Sequence, residues 1–288
     1  MSRLTSRAPA KVNLTLRVLG RRPDERHELA SLVAFAAFGD ELALTTGPTL
    51  ELSVGGPTAS QAGPAAENLV LAAARSLAER IEGLRLGRFE LLKRLPAGAG
   101  LGGGSTDAAA ALRLVAQANE LALDDPRLIE AARTTGADVP VCLEAMARLM
   151  HGTGDQLSPP IDLPELAAVI VFPAVPVSTA AVFRAFELAP GRRDKPYSTA
   201  EIPREREAFF QFLDSEPNDL ERAARSLAPV IAAAQELIDS TGGARLIRMT
   251  GSGSGMFGLY DDTGEARDAA EEMRGERPDW WVAATTLR

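Results

Sequence analysis

Five glycines fall within seven residues in PAGAGLGGGSTDAAAAL, the stretch from Pro96 to Leu112, and then give way to alanines. Glycine in regular structure costs about 0.5–1 kcal/mol relative to alanine, so such a cluster needs a compensating use. The plainest is a strand-to-helix turn with surplus glycine. A dinucleotide-binding fold is a second reading, because Gly98, Gly100 and Gly103 satisfy G-x-G-x-x-G. That fingerprint requires a strand with an acidic residue about 20 positions on, and ANELALDDPRLIEAAR reads there as loop and helix. A P-loop fails, since no Gly-Lys-Ser/Thr follows the glycines. The third reading is a phosphate cradle of another kind: bare backbone N–H groups running into a helix N-terminus present donors and a positive dipole end to an anion. Ser105, Thr106 and Asp107 then serve as the residues that open and cap that helix.

Other positions carry chemistry less openly. Asp138 follows the helix-ending Gly136 and precedes Val139-Pro140, which reads as an N-cap for VPVCLEA. Lys11 stands near the start of a strand as an ordinary exposed lysine, and Asn13 shares its face because strand side chains alternate with period two. Gly251, Gly253 and Gly255 form either a hairpin turn or a close backbone approach to a ligand. His27 and His151 are the two histidines, and a lone histidine is most often a surface or satisfied core residue.

The elements that must hold these positions follow from hydrophobic spacing. KVNLTLRVLG alternates strictly and predicts a half-buried strand from Lys11, with Val12, Leu14, Leu16 and Val18 on one face. DELALTT and TLELSV predict two more strands, ENLVLAAARSLAERI a helix stopping near Gly83, and GRFELLKRLP a strand that leads into the glycine loop. The loop helix is followed by a helix with Asp125 as cap and Pro126 at its first position, ended by Gly136. GDQLSPPIDLPEL reads as a linker, which places a domain boundary near Ser158. Beyond it the pattern predicts the strand AAVIVFP, a polar loop around Arg192 to Arg206 as the mobile segment, a long helix from Asn218, a strand pair joined by TGSGSG, the helix GEARDAAEEMR and a closing strand WWVAATTLR.

The chain has 288 residues, 45% hydrophobic and 24% charged, which suits a two-domain or large single-lobed globular protein. A net charge of −8 argues against a general binder of nucleic acid or membrane surfaces, so any anion site is local. One cysteine, Cys142, excludes an internal disulfide and a multi-cysteine metal site and fits a reducing compartment. The start MSRLTSRAPAKVNLTL has no apolar signal core, and no apolar run reaches the roughly 20 residues that span a bilayer. The expectation is a cytoplasmic protein.

PAGAGLGGGSTDAAAAL resembles the phosphate loop of the galactokinase, homoserine kinase, mevalonate kinase and phosphomevalonate kinase superfamily, the GHMP kinases. APAKVNLTL near the N-terminus and RMTGSGSGMFGLY near the C-terminus resemble the superfamily's other two motifs, in the same order. The run APAKVNLTLRVLGRRPDERHELASLVAFAAFGDEL, together with GADVPVCL and PNDLE, resembles the branch of the superfamily that acts on a cytidine diphosphate alcohol in the non-mevalonate isoprenoid route. The likeness spans Ala8 to about Tyr260.

The resemblance implies an α/β fold, the α+β two-lobed GHMP kinase architecture, with the active site in a cleft between an ATP-binding domain over 1–158 and a substrate domain over 159–288. It implies an ATP-dependent, Mg2+-assisted kinase, monomer or weak homodimer, with a small-molecule cytidine diphosphate substrate and no nucleic-acid or membrane partner. Asp138 matches the catalytic aspartate that accepts the hydroxyl proton, and Lys11 the lysine beside it. Pro96, Ala97, Gly98, Ala99, Gly100, Leu101, Gly102, Gly103, Gly104, Ser105 and Thr106 match the ATP loop, Ser105 also being the candidate to face the metal, and Asn68 matches a position near the adenine or ribose. Asn13, His27, Thr179, Phe183, Gly251, Ser252 and Gly253 match substrate positions, His27 as the residue that reads cytosine. The family usually has a tyrosine directly before this histidine, and PDERHEL puts Arg26 there. Arg26 is therefore expected to stack on the cytosine opposite Phe183, which lies in VPVSTAAVF, the match to the family's substrate strand.

Overall fold

The opening alternation does form a strand, β1 (Arg3–Asn13), but it does not leave one face in water: Ala8, Ala10 and Val12 are buried, and so are Lys11 and Asn13. The expected half-buried strand is buried on both faces over its second half. It also stops at Asn13 instead of running on, because Thr15 turns its side chain into the ladder, its Oγ1 accepting from the Leu32 amide at 2.9 Å. Strand β2 (Arg17–Arg21) resumes after this break.

A computed structural model describes residues 3–186, 188 and 198–288. Its further elements are β3 (His27–Thr46), β4 (Glu51–Gly55), α1 (Leu69–Ala78), β5 (Gly87–Leu92), α2 (Gly103–Ala118), α3 (Pro126–Thr135), the single turn α4 (Val139–Cys142), β6 (Arg148–Gly152), β7 (Gln156–Leu157) and β8 (Leu166–Phe172). Then follow α5 (Thr179–Ala185), α6 (Arg206–Ser215), α7 (Glu221–Leu227), α8 (Val230–Ser240), β9 (Leu246–Met249), β10 (Met256–Tyr260), α9 (Thr263–Glu276) and β11 (Trp281–Leu287). The mixed α/β class is as expected, and several elements are not. DELALTT is only the end of the 20-residue β3, whose middle, LVAFA, is buried without alternation and so carries no period-two signal. The stretch read as a linker contains β7, paired with β6. The long helix from Asn218 is two helices, broken where Pro229 has no amide to continue the first. Part of the Arg192 to Arg206 loop, 192–197, lies outside the described residues, and α6 begins at its end with Glu205 accepting from the Glu207 and Ala208 amides.

Two compact units emerge, each discontinuous in sequence. The first comprises Met1–Lys11, Phe38–Ala97 and Gly102–Ala145. Here β4 pairs parallel with β5, β5 antiparallel with the second half of β3, and β1 joins β3. Helix α2 packs against α1, α3 and α4. Its run Ala108 to Leu112 is wholly buried, and alanine there satisfies two demands at once, high helix propensity and close approach of neighbours.

The second unit comprises Val12–Ala37, Gly98–Leu101 and Met146–Arg288. The first half of β3 pairs antiparallel with β2 and β6, and the order β9-β10-β8-β11 continues to β3 through Leu287 opposite Ala36, all antiparallel. All seven residues of β8 are buried, which accounts for its unbroken apolar sequence. Helices α8 and α9 supply Ile231, Ile238, Ala270 and Met273 to the core over this sheet. No helix among the described residues is long and apolar enough to cross a membrane.

Candidate active site

In the first unit Lys11 is not the exposed lysine that its position in the sequence suggests. The residue is 3% exposed, and its Nζ lies 2.9 Å from Asp138 Oδ2. Asp138 does occupy the N-cap position of α4, yet its side chain makes no capping hydrogen bond there. The carboxylate is committed to Lys11 and remains partly open to solvent, 38% of its side chain being exposed. A buried ammonium and an accessible carboxylate at this distance form a pair that can take a proton from a hydroxyl and stabilise the charge left on its oxygen.

The glycine loop closes on the same lysine. Gly102 is the N-cap of α2 in a left-handed conformation, φ 63°, and a Cβ at this position would press on the Lys11 Cε and Cβ at 3.2 and 3.3 Å. The first amides of α2 have no partner within the helix, so the loop brings donors next to the ion pair. The loop's entry is tied down by Thr58, whose Oγ1 donates to the Leu95 carbonyl at 2.9 Å, and by Gln61, whose Oε1 accepts from the Ala97 amide at 2.9 Å, with Pro96 between them. Gly104 lies against Leu69 at the start of α1, where Asn68 is the N-cap and its Oδ1 accepts from the Val70 amide at 3.0 Å. Asn68 therefore stands near the loop with a structural task of its own. Thr106 is buried, its hydroxyl donating back to the Gly103 carbonyl, whereas Ser105 is half-buried.

Beneath the loop lies a buried charge cluster that the sequence did not announce. Lys93 Nζ donates to Asp40 Oδ2 at 2.5 Å and to Asp107 Oδ2 at 2.6 Å. Burial lowers the Lys93 ammonium, but the two carboxylates outweigh it and hold the group above the ordinary lysine range. Burial pushes the Asp107 carboxyl up to about 7 against the attraction of Lys93, and Asp40 adds to the rise. Cys142 is buried as well, and desolvation pushes its thiol up, with the Asp138 carboxylate adding to the effect.

In the second unit, the segment Gly98–Leu101 docks against the turn TGSGSG between β9 and β10. The Gly255 amide donates to the Ala99 carbonyl at 3.1 Å, and a Cβ on Gly100 would stand 2.5 Å from the Thr250 carbonyl oxygen. Glycine at these positions is thus demanded by backbone meeting backbone. Asn218 holds the same turn from behind, its Nδ2 donating to the Met249 and Gly251 carbonyls at 2.8 Å each, which gives PNDLE a physical role that sequence reasoning missed. Asn13 joins it through its amide, which donates to Thr250 Oγ1 at 2.9 Å, while its side-chain Nδ2 donates to Ser31 Oγ at 2.7 Å. At the turn's tip, between Gly251 and Gly253, Ser252 meets Thr179, their hydroxyl oxygens 2.7 Å apart.

VPVSTAAVF contains a helix where a strand was expected. Ser178 Oγ accepts from the Ala181 amide and opens α5, and the helix puts Thr179 and Phe183 one turn apart on one face. Extended chain would separate them by about 13 Å, the helix by about 6 Å of rise. The ring against Phe183 is that of His27, with centroids 4.8 Å apart and planes at 28°. Burial, with help from Arg21, holds the His27 imidazole below its usual range, which favours the neutral ring that stacks here. Arg26 is turned to Asp24: its guanidinium pairs with that carboxylate at 2.7 Å and 64% of its side chain is exposed. His151, read as structural, lies half-buried in β6.

The fold and these groups define a small-molecule kinase class, and the comparisons agree. The chain belongs to the GHMP kinase family: residues 68–145 match the GHMP kinases N terminal domain and residues 205–278 the GHMP kinases C terminal. Kinases of this family take ATP as phosphate donor. Among curated relatives, a protein of Methylorubrum extorquens is 53% identical and one of Xanthobacter autotrophicus 55% identical, each alignment covering 100% of both chains. Both are named 4-diphosphocytidyl-2-C-methyl-D-erythritol kinase. A crystal structure of 4-(cytidine 5'-diphospho)-2C-methyl-D-erythritol kinase is 35% identical, covers 99% of both chains and superposes with a TM-score of 0.77. Homoserine kinase from Cytophaga hutchinsonii shares the fold, at 20% identity, 99% and 95% coverage and a TM-score of 0.65.

Proposed function

We propose that this protein transfers the terminal phosphoryl group of ATP to the 2-hydroxyl of 4-diphosphocytidyl-2-C-methyl-D-erythritol, a step of the non-mevalonate route of isoprenoid biosynthesis. The observation that carries the reading is the Lys11–Asp138 pair at 2.9 Å beside a glycine loop, in a chain whose full-length relatives bear that kinase's name. Asp138 accepts the proton of the substrate hydroxyl, and Lys11 offers its charge to the oxygen as it attacks. Phosphoryl transfer asks chiefly for positioning and charge neutralisation, which falls to the loop from Pro96 to Thr106 and the open amides of α2. Ser105 is the loop hydroxyl that would face Mg2+. Among the described residues no group of three or more histidine, cysteine or acidic side chains gathers for a metal, and Mg2+ would be held with the nucleotide. That ion supplies charge neutralisation at the phosphates.

The cytidine end falls to Phe183 and His27, with Thr179, Ser252 and the Gly251–Gly253 turn for polar contacts and Asn13 for the alcohol. Residues 1–158 on this reading serve ATP chiefly and 159–288 the alcohol. A cytoplasmic monomer or weak homodimer with no nucleic-acid or membrane partner completes it. ATP turnover against a panel of cytidylated methylerythritol, homoserine and mevalonate tests the assignment. Turnover of the cytidylated alcohol alone is expected, and turnover of either other alcohol in its place overturns the substrate while sparing the kinase.

A further inference from the structure

The glycine loop leaves the sheet at the end of β5 and enters α2, and both of its ends are fastened to one buried ammonium. Lys93, the residue after β5, holds Asp107 in the second turn of α2 at 2.6 Å and Asp40 in β3 at 2.5 Å. Asp40 grips the loop's entry a second time, its Oδ1 accepting from the Arg94 and Leu95 amides at 2.5 and 2.8 Å. The three residues are 1–5% exposed, and a Cβ on Gly103 would stand 3.1 Å from Lys93 Nζ, so the cluster lies directly under the first residue of α2.

Such a cluster is a poor means of gaining stability. Two carboxylates against one ammonium are costly to desolvate, and apolar residues of similar volume commonly serve a core as well or better. Asp107 adds to the cost, for its second oxygen, Oδ1, is buried with no hydrogen-bond partner. What the cluster does supply is fixed distances among three chain segments, since hydrogen-bonded charges tolerate little displacement in a low-dielectric interior.

We propose that Asp40, Lys93 and Asp107 are positioning residues for nucleotide binding: they fix the separation of the two ends of the glycine loop and thereby the arrangement of N–H donors that meets the phosphates. The inference rests on the reading of this loop as the ATP loop. It assigns the three residues no contact with the nucleotide.

Calorimetry of a non-hydrolysable ATP analogue against the whole protein, its Asp107→Asn and Lys93→Met variants and the double variant Lys93→Met with Asp107→Leu tests it. Asp107→Asn keeps the shape of the side chain, so a folded protein is expected, with affinity for the analogue down about tenfold and the KM of the alcohol within twofold. The double variant removes the Lys93–Asp107 pair and leaves Asp40 held by the Arg94 and Leu95 amides; it is expected to regain part of the thermal stability lost by Lys93→Met but none of the affinity. Affinity that returns along with stability in the double variant makes the triad merely structural and overturns the proposal, as does parent-like affinity in folded Asp107→Asn. A parent protein that does not bind the analogue at all instead sinks the ATP-loop reading, and the inference falls with it.

Discussion

The two units solve the problem of building a site by opposite means. In the first, the groups that matter are paired charges, buried Lys11 with the accessible Asp138 and buried Lys93 with the buried Asp40 and Asp107. In the second, they are backbone turns packed against each other, Gly98–Leu101 on TGSGSG, and two stacked rings. A site of charges depends on which side chain is present; a site of packed backbone depends on side chains being absent. The first should therefore respond sharply to an isosteric change of charge, and the second to a single methyl group.

The largest effect is expected from the smallest addition, Gly255→Ala. Its Cβ would land on the Ala99 carbonyl oxygen, a backbone atom that cannot step aside, and the loss of stability should reach about 3 kcal/mol. Denaturant unfolding measures it; a variant as stable as the parent would mean the two turns are not docked as described. Asp138→Asn comes next, with a fall in kcat of about 10² or more at unchanged ATP affinity, the scale of a lost positioned base. Steady-state kinetics with normal turnover would take Asp138 out of the mechanism.

Phe183→Ala should weaken the cytidine substrate by about ten- to a hundredfold and leave ATP alone, since stacking of a base on an aromatic ring contributes about 1–3 kcal/mol. Equal affinity in a direct binding titration would remove the ring from the substrate site. Gly102→Ala is the counterpart of Gly255→Ala in the charged unit. Its neighbours are the methylenes of Lys11, which can give way, so the left-handed backbone should set the cost at about 1–2 kcal/mol. Should it destabilise as much as Gly255→Ala, the contrast between the two units fails. The smallest effect belongs to Arg26→Ala, whose exposed pair with Asp24 should leave stability and substrate binding close to the parent's; thermal unfolding and a binding titration check it.

Local chemistry was enough for much of this. The spacing of GRFELLKRLP and the alanines after the loop predict β5 and α2, Asp125 and Pro126 mark the start of α3, and the unbroken apolar run AAVIVFP is β8. The glycine cluster by itself pointed to an anion at a helix N-terminus, and the family motifs named Lys11 and Asp138, because each of these depends on residues within a few positions of one another. Tertiary structure decided the rest. Periodicity treats a charged residue as outward-facing, so it could not find that Lys11 and Lys93 are buried; the partner of Lys11 lies more than a third of the chain away, and those of Lys93 lie 14 and 53 positions away. The helix at Thr179–Ala185 is short enough that apolar spacing does not separate it from a strand, and the ring partner of Phe183, His27, lies more than half the chain away. Glycines 100 and 255 look alike to local reasoning as flexible turn residues, and only their meeting in space makes them places where no side chain fits.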